Sequence, residues 1–78
     1  IVSGAGADYA VEAAAAGFDA FLTGEPAERV AAVAREEGIH VIAAGHHATE
    51  TLGIRRLGEL LAREHGITHH FVDVPNPI

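Results

Sequence analysis

Three times in 78 residues a helix-forming, largely alanine-rich run stops at a glycine and an apolar run of strand formers takes over. That repeat constrains the fold more than any other feature. The helix patterns Asp8 to Ala16, Pro26 to Glu37 and Thr49 to His65 end at Gly17, Gly38 and Gly66, where a left-handed residue closes a helix and glycine adopts it without a Cβ penalty. Strand patterns follow at Phe18 to Thr23, Ile39 to Ala44 and Ile67 to Val74, with Ile1-Val2-Ser3 as the first. The order βαβαβαβ predicts an α/β fold: a three-layer sandwich on a largely parallel or mixed sheet, with right-handed crossovers.

The local signals agree with this order. Pro26 suits a first helical position, where its missing N–H costs nothing. In the second helix Val30, Val33 and Ala34 form an apolar stripe, and in the third Ile54, Leu57 and Leu61 recur at helical spacing, with Arg56, Glu59 and Arg63 outside it. Thr49 is positioned as the N-cap of the third helix. Val41-Ile42-Ala43-Ala44 is continuously apolar, as a central parallel strand buried on both faces should be. Pro75-Asn76-Pro77 cannot continue a ladder and ends the fold as an extended tail.

Residues 1–78 make one lobe at most, and a chain of this size hides only about 60–65% of the surface its unfolded form exposes. Apolar residues are 49% of the chain but aromatics only 5%, so the core should be thin and lean on other protein. Beginning at Ile1-Val2-Ser3-Gly4, already a strand running into a turn, the chain reads as a piece of a longer polypeptide. With no cysteine, any metal ligands must be His, Asp or Glu, and the compartment expected is reducing cytoplasm. No run approaches the roughly 18 apolar residues of a membrane span, and nothing at the N-terminus resembles a signal peptide. A net charge of −6, with five arginines and no lysine, argues against a nucleic-acid backbone as partner. The pair Arg55-Arg56 reads as a solvated helix face.

Chemistry concentrates in Ala44-Gly45-His46-His47-Ala48-Thr49-Glu50, where strand gives way to helix. If the turn is already helical, His46 and Glu50 lie one above the other and can point at the same ion. Imidazole with carboxylate suits zinc, manganese or ferrous iron better than calcium. The alternative is a polar turn in which Glu50 favours the helix N-terminus and His46 hydrogen-bonds backbone, and spacing alone does not separate the two. His46 lies just past the carboxyl end of a strand, where open α/β sheets place ligand sites. Glu25, past the end of the preceding strand, is a candidate general acid/base or holder of a metal-bound water; its plain role is to cap the helix before Pro26. Ser3 to Asp8 is glycine-rich but lacks the third glycine of a dinucleotide fingerprint, and Asp8 would repel phosphate, so it reads as a tight turn in which Gly4 and Gly6 line the cleft. His69 and His70 point to opposite faces of an extended segment and cannot chelate one ion; with His40 and His65 they are taken as structural or exposed.

Three blocks, Phe21-Leu22-Thr23-Gly24-Glu25, the His46 segment just described, and Phe71-Val72-Asp73-Val74-Pro75-Asn76-Pro77, resemble in order and spacing the C-terminal part of the Nif-three-like dinuclear metal proteins, the type-two GTP cyclohydrolase I homologues. The resemblance spans essentially the whole chain. It implies an intact α/β protein that binds two divalent metal ions and assembles as a ring-like homo-oligomer. The family's metal pair takes a His-His and an Asp from the N-terminal part, plus the His and Glu of Gly-His-x-x-x-Glu. Those last two fall on His46 and Glu50. His47, where the family often has tyrosine, is then a pocket wall. No residues here match the N-terminal ligands, so the resemblance implies an incomplete metal site completed by the N-terminal part of the same protein. Where the family often carries histidines after its Thr-Gly-Glu block, this chain has Pro26-Ala27-Glu28-Arg29.

The function expected is therefore that of the C-terminal lobe of a metal-dependent, hydrolase-like protein, cyclohydrolase or phosphoesterase in type, inactive as a fragment and acting on a small molecule that these residues do not identify. The alternative from another class is a ligand-binding or scaffold module whose metals are structural.

Overall fold

The computed structural model describes all 78 residues and has the α/β character expected, with fewer strands and one layer fewer. Strands β1 (Ala20–Thr23) and β2 (His40–Ala43) pair in parallel with Thr23 opposite Ala43, and Val2 adds a single parallel bridge to Thr23 on the other edge of β1. The first predicted strand shrinks to that bridge because Gly4, at φ 66°, turns the chain away at once.

Helix α1 (Ala10–Ala15) follows a 3-10 turn at Ala7–Tyr9, and α2 (Val30–Glu37) is the crossover between the strands. Both pack on one face of the sheet, closing a core of Ala10, Phe21, Val30 and Ile39, against which Val2, Val33 and Val41 lie half-buried. The glycine stops form as read: Gly17, Gly38 and Gly66 all have positive φ. After α1, the Phe18 N–H bonds to the Ala13 carbonyl at 3.1 Å and the Gly17 N–H to Ala14 at 2.9 Å, the Schellman arrangement. Helix α2 starts four residues later than Pro26 predicts, because Ala27 to Arg29 form a tight turn closed by the Val30 N–H on the Ala27 carbonyl. Val30 is the first side chain there with a core to enter.

Helix α3 (His46–His65) begins three residues before the predicted start, so Thr49 is not its N-cap. Gly45, at φ 93°, makes the turn from β2 directly into the helix. No residue of α3 is buried, and Leu52, Ile54, Leu57, Leu60 and Leu61 are exposed. Nor does β2 lie buried on both faces: Ile42, on the side away from α1 and α2, is 49% exposed. The last predicted strand is extended but pairs with no strand; residues 67–74 instead run back along α3. The radius of gyration is 15.7 Å, against about 11–12 Å for a compact domain of this length. The excess comes from α3, which projects from a two-layer body and has only the segment 67–74 lying along it. No helix is long and apolar enough to cross a membrane.

Candidate functional site

Parallel pairing brings the carboxyl ends of β1 and β2 side by side, and the candidate residues follow immediately: Glu25 two residues after β1, His46 three after β2. The ladder runs on past the strands, with the Ala44 N–H on the Thr23 carbonyl and the Gly45 N–H on the Gly24 carbonyl, both at 2.9 Å. Those bonds fix the start of α3 relative to Glu25.

The turn Ser3 to Gly6 fastens to the same place. The Gly4 carbonyl accepts from the Gly24 and Glu25 N–H groups at 2.9 and 3.0 Å. The buried Thr23 hydroxyl donates to the Gly4 carbonyl (3.2 Å) and accepts from the Gly6 N–H (3.0 Å). The Gly4 N–H in turn donates to Thr49 Oγ1 (3.1 Å), whose hydroxyl points back to the Gly45 carbonyl (2.8 Å). Thr49 thus fastens the N-terminal turn of α3 to the loop after the first segment.

Two glycines make this approach possible by lacking a side chain. A Cβ on Gly24 would stand 2.6 Å from the Gly4 carbonyl and 2.7 Å from the His46 Cα. A Cβ on Gly4 would stand 2.5 Å from Glu50 Oε1 and 3.1 Å from His46 Nε2. Gly4 therefore forms the floor beneath the His46–Glu50 pair. Gly6, expected beside it in the wall, is buried against Val2 and Thr23 and does not line the cleft. Its N–H is used by Thr23, which draws it into the body.

Because α3 begins at His46, Glu50 is its i+4 neighbour, with His46 Nε2 3.1 Å from Glu50 Oε1. The other ring nitrogen, Nδ1, is hydrogen-bonded to Glu25 Oε1. The imidazole is a third exposed and stands between two carboxylates. Its pKa is raised, first by the hydrogen bond to Glu25 and then by the charges of Glu50 and Glu25, with partial desolvation opposing. His47 takes no part in that pairing: Nε2 lies 3.1 Å from Asp73 Oδ1, and its backbone N–H donates to the Ile78 carbonyl at 2.7 Å.

The open cleft over these residues, of about 420 Å³, is lined by Glu25, His46, His47, Glu50, Asn76 and Ile78. Asn76 and Ile78 were not read as site residues from the sequence, where the proline-flanked tail carried no signal beyond ending the fold. No three His, Asp or Glu side chains surround one point at which they could hold a metal ion. Glu25 is on the Nδ1 side of the ring and Glu50 on the Nε2 side, so this chain brings two donors, not three, to any one position.

The model for the Duf34/NIF3 family (NGG1p interacting factor 3) matches residues 1–77. The chain is 51% identical over 76 residues to a protein of Vibrio cholerae, and 51% over 75 residues to one of Pseudomonas aeruginosa, each named a GTP cyclohydrolase 1 type 2 homolog. The matches cover 97% and 96% of this chain but 30% of each relative. The solved structure of the structural-genomics protein ybgI, described as of unknown function, superposes with a TM-score of 0.90 at 46% identity, covering 99% of this chain and 32% of that one. The chain thus spans about a third of the length of its relatives, and it belongs to the Duf34/NIF3 family.

Proposed function

We propose that this chain is one lobe of a dinuclear divalent-metal protein of hydrolase-like type, and that His46 and Glu50 are the ligands it contributes to a cleft completed by residues outside these 78. The observation that carries the reading is the orientation of His46. Its Nδ1 is occupied by Glu25, which leaves Nε2 as the donor facing Glu50 across the space that a Cβ on Gly4 would fill. A carboxylate on the far nitrogen of a ligating imidazole is the usual means of fixing its tautomer and ring plane. Nitrogen with carboxylate oxygen suits zinc, manganese or iron. That two ions bind, and that the intact protein is a homo-oligomer, rests on the resemblance of the three sequence blocks, while a cytoplasmic location rests on the lack of cysteine. The C-terminal placement expected from those blocks is not needed: the reading requires only that the remaining ligands lie elsewhere.

When bound, such ions supply Lewis-acid and water-activating chemistry. The chain's own residues then have distinct roles. Glu25 keeps the proton on Nδ1 and so holds the ring in its donating orientation. Gly4 and Thr49 set the height of the α3 N-terminus, and His47 belongs to the cleft wall. The relatives' name does not supply a substrate, since no residue here is arranged to read guanine and a chain of charge −6 is a poor host for a triphosphate.

The test is the metal content of the intact protein. His46→Ala and Glu50→Ala should each lose bound metal, whereas Glu25→Gln should keep the stoichiometry with affinity about 10–100-fold weaker. Unchanged stoichiometry in both ligand variants would sink the assignment.

A scaffold reading, in which the metals are structural, is favoured by one observation: α3 leaves Leu52, Ile54, Leu57, Leu60 and Leu61 exposed, a surface suited to assembly. It predicts that chelation changes the oligomeric state by light scattering while no nucleotide or phosphoester is hydrolysed. Robust metal-dependent turnover would reject it.

A further inference from the structure

The segment after α3 crosses that helix by a contact pattern with a period of two. His69 packs over Gly58, where a Cβ would meet its ring. Phe71 lies under the Arg55 guanidinium, 4.1 Å from its ring centroid. Asp73 receives Arg55 Nη2 at 3.3 Å and His47 Nε2 at 3.1 Å. Alternate residues of an extended chain share a face, so 69, 71 and 73 all turn toward α3 as the segment runs antiparallel to it, from Gly58 back to His47. The run delivers Pro75 to Ile78 to the N-terminal end of the helix. There the Ile78 carbonyl accepts the His47 N–H, while the Ile78 N–H donates to Asn76 Oδ1 at 3.0 Å. With its oxygen engaged, Asn76 has its side-chain N–H₂ as the free end, on a residue that lines the cleft.

We infer that Asp73 is a positioning residue: gripped by His47 and Arg55, it straps the tail Pro75 to Ile78 across the mouth of the cleft as the wall facing His46 and Glu50, with Asn76 as that wall's hydrogen-bond donor. The strap stands on the contacts above, and the wall rests in addition on the metal cleft proposed for His46 and Glu50. A single exposed ion pair would restrain little. Here one carboxylate takes two partners eight residues apart on the same helix, and the arginine is fixed a second time by the Phe71 ring. A neutral amide on the wall suits an uncharged or oxygen-bearing part of a ligand, and it adds no charge to a cleft already lined by two carboxylates.

The experiment uses the intact protein loaded with zinc, with Asp73→Ala, Arg55→Ala and Asp73→Asn, and with Glu59→Ala as control because Glu59 pairs only with Arg56. Hydrogen–deuterium exchange in peptides covering 46–50 and 74–78 should quicken about two- to tenfold in the two alanine variants, the range expected from losing two exposed contacts. The change should be smaller in Asp73→Asn and absent in Glu59→Ala. Release of zinc to a chromogenic chelator should quicken by a similar factor in Asp73→Ala, with zinc bound per chain unchanged. Unaltered exchange in both alanine variants overturns the strap. Faster exchange with unaltered release overturns the wall while leaving the metal reading intact. A wild-type protein that takes up no zinc overturns the wall together with the metal reading, and exchange still decides the strap.

Discussion

The stretch from Val2 to Ala44 and the stretch from His46 onward solve the burial problem differently. All four buried apolar side chains, Ala10, Phe21, Val30 and Ile39, belong to the first, while the twenty residues of α3 bury none. The first part has a sheet face on which two short helices can close. The second has a single long helix with an extended segment lying along it, and a lone helix with an apolar stripe needs a partner layer. Yet the candidate site lies at the seam, in the one turn of α3 that the first part holds through Thr49, Gly4 and the continued strand ladder. The packed half sets the position of His46, and the open half keeps its large apolar side chains exposed in a chain that spans 30% of the length of its Vibrio cholerae relative.

Large-to-small substitutions in the intact protein separate the two halves. Phe21→Ala should cost about 3–5 kcal/mol in chemical denaturation, because Phe21 is 3% exposed and central to a core of four residues. Leu57, 50% exposed here, should cost about 2–3 kcal/mol on mutation to alanine in the intact protein, where the rest of the chain can lie on α3. A cost below about 0.5 kcal/mol for Leu57→Ala would mean that the face stays open to water and that the contrast between the halves is permanent.

How much of this the sequence disclosed follows the same division. Gly17, Gly38 and Gly66 could be read as helix stops because a C-terminal cap is a local event, decided by one residue's φ. A largely parallel sheet was legible from the strand–helix–strand order, and so was the place of Glu25 and His46 past the carboxyl ends of their strands; that these two strands pair, which brings Glu25 and His46 together, was not. The bond from His46 Nδ1 to Glu25 was not legible, since it joins residues 21 apart and depends on the register of that pairing. The segment Ile67 to Val74 has strand composition but pairs with no strand in this chain. Its place along α3 comes from Gly58, Arg55 and His47, contacts that no periodicity within the segment announces. The start of α3 was missed by three residues because Thr49 has the identity of an N-cap, while its hydroxyl is spent on joining Gly4 to Gly45.

Gly24 tests the seam itself at a smaller cost. Gly24→Ala would drive a Cβ against the Gly4 carbonyl and the His46 Cα, both backbone atoms that cannot rotate away. The expected penalty is about 1–3 kcal/mol, the range for forcing an extra methyl into a closed contact. The displaced α3 terminus should also lower metal affinity in the intact protein. A stable variant with undiminished metal binding would show that the two halves are not joined tightly enough for one to position the other's ligands.

The smallest effect expected is on proton binding at the seam, and its sign follows from the two carboxylates flanking His46. In the metal-free intact protein the imidazolium is favoured by the folded state, since Glu25 accepts from Nδ1 and Glu50 lies beside Nε2. Its pKa is therefore above the ordinary value of about 6.5. A group whose folded pKa is raised contributes stability that is fully present below about pH 6.5 and is lost as pH climbs through the raised value. Metal binding runs in the opposite sense, because Nε2 must be unprotonated to act as a ligand, so affinity should fall as the solution is acidified below that raised value. Nuclear magnetic resonance titration of the His46 ring should give a midpoint above 6.5 that drops in Glu25→Ala, and drops less in Glu50→Ala, since the Glu25 hydrogen bond is the largest cause of the shift. A midpoint unmoved by Glu25→Ala would mean that the first half of the molecule does not hold the ring that the second half presents.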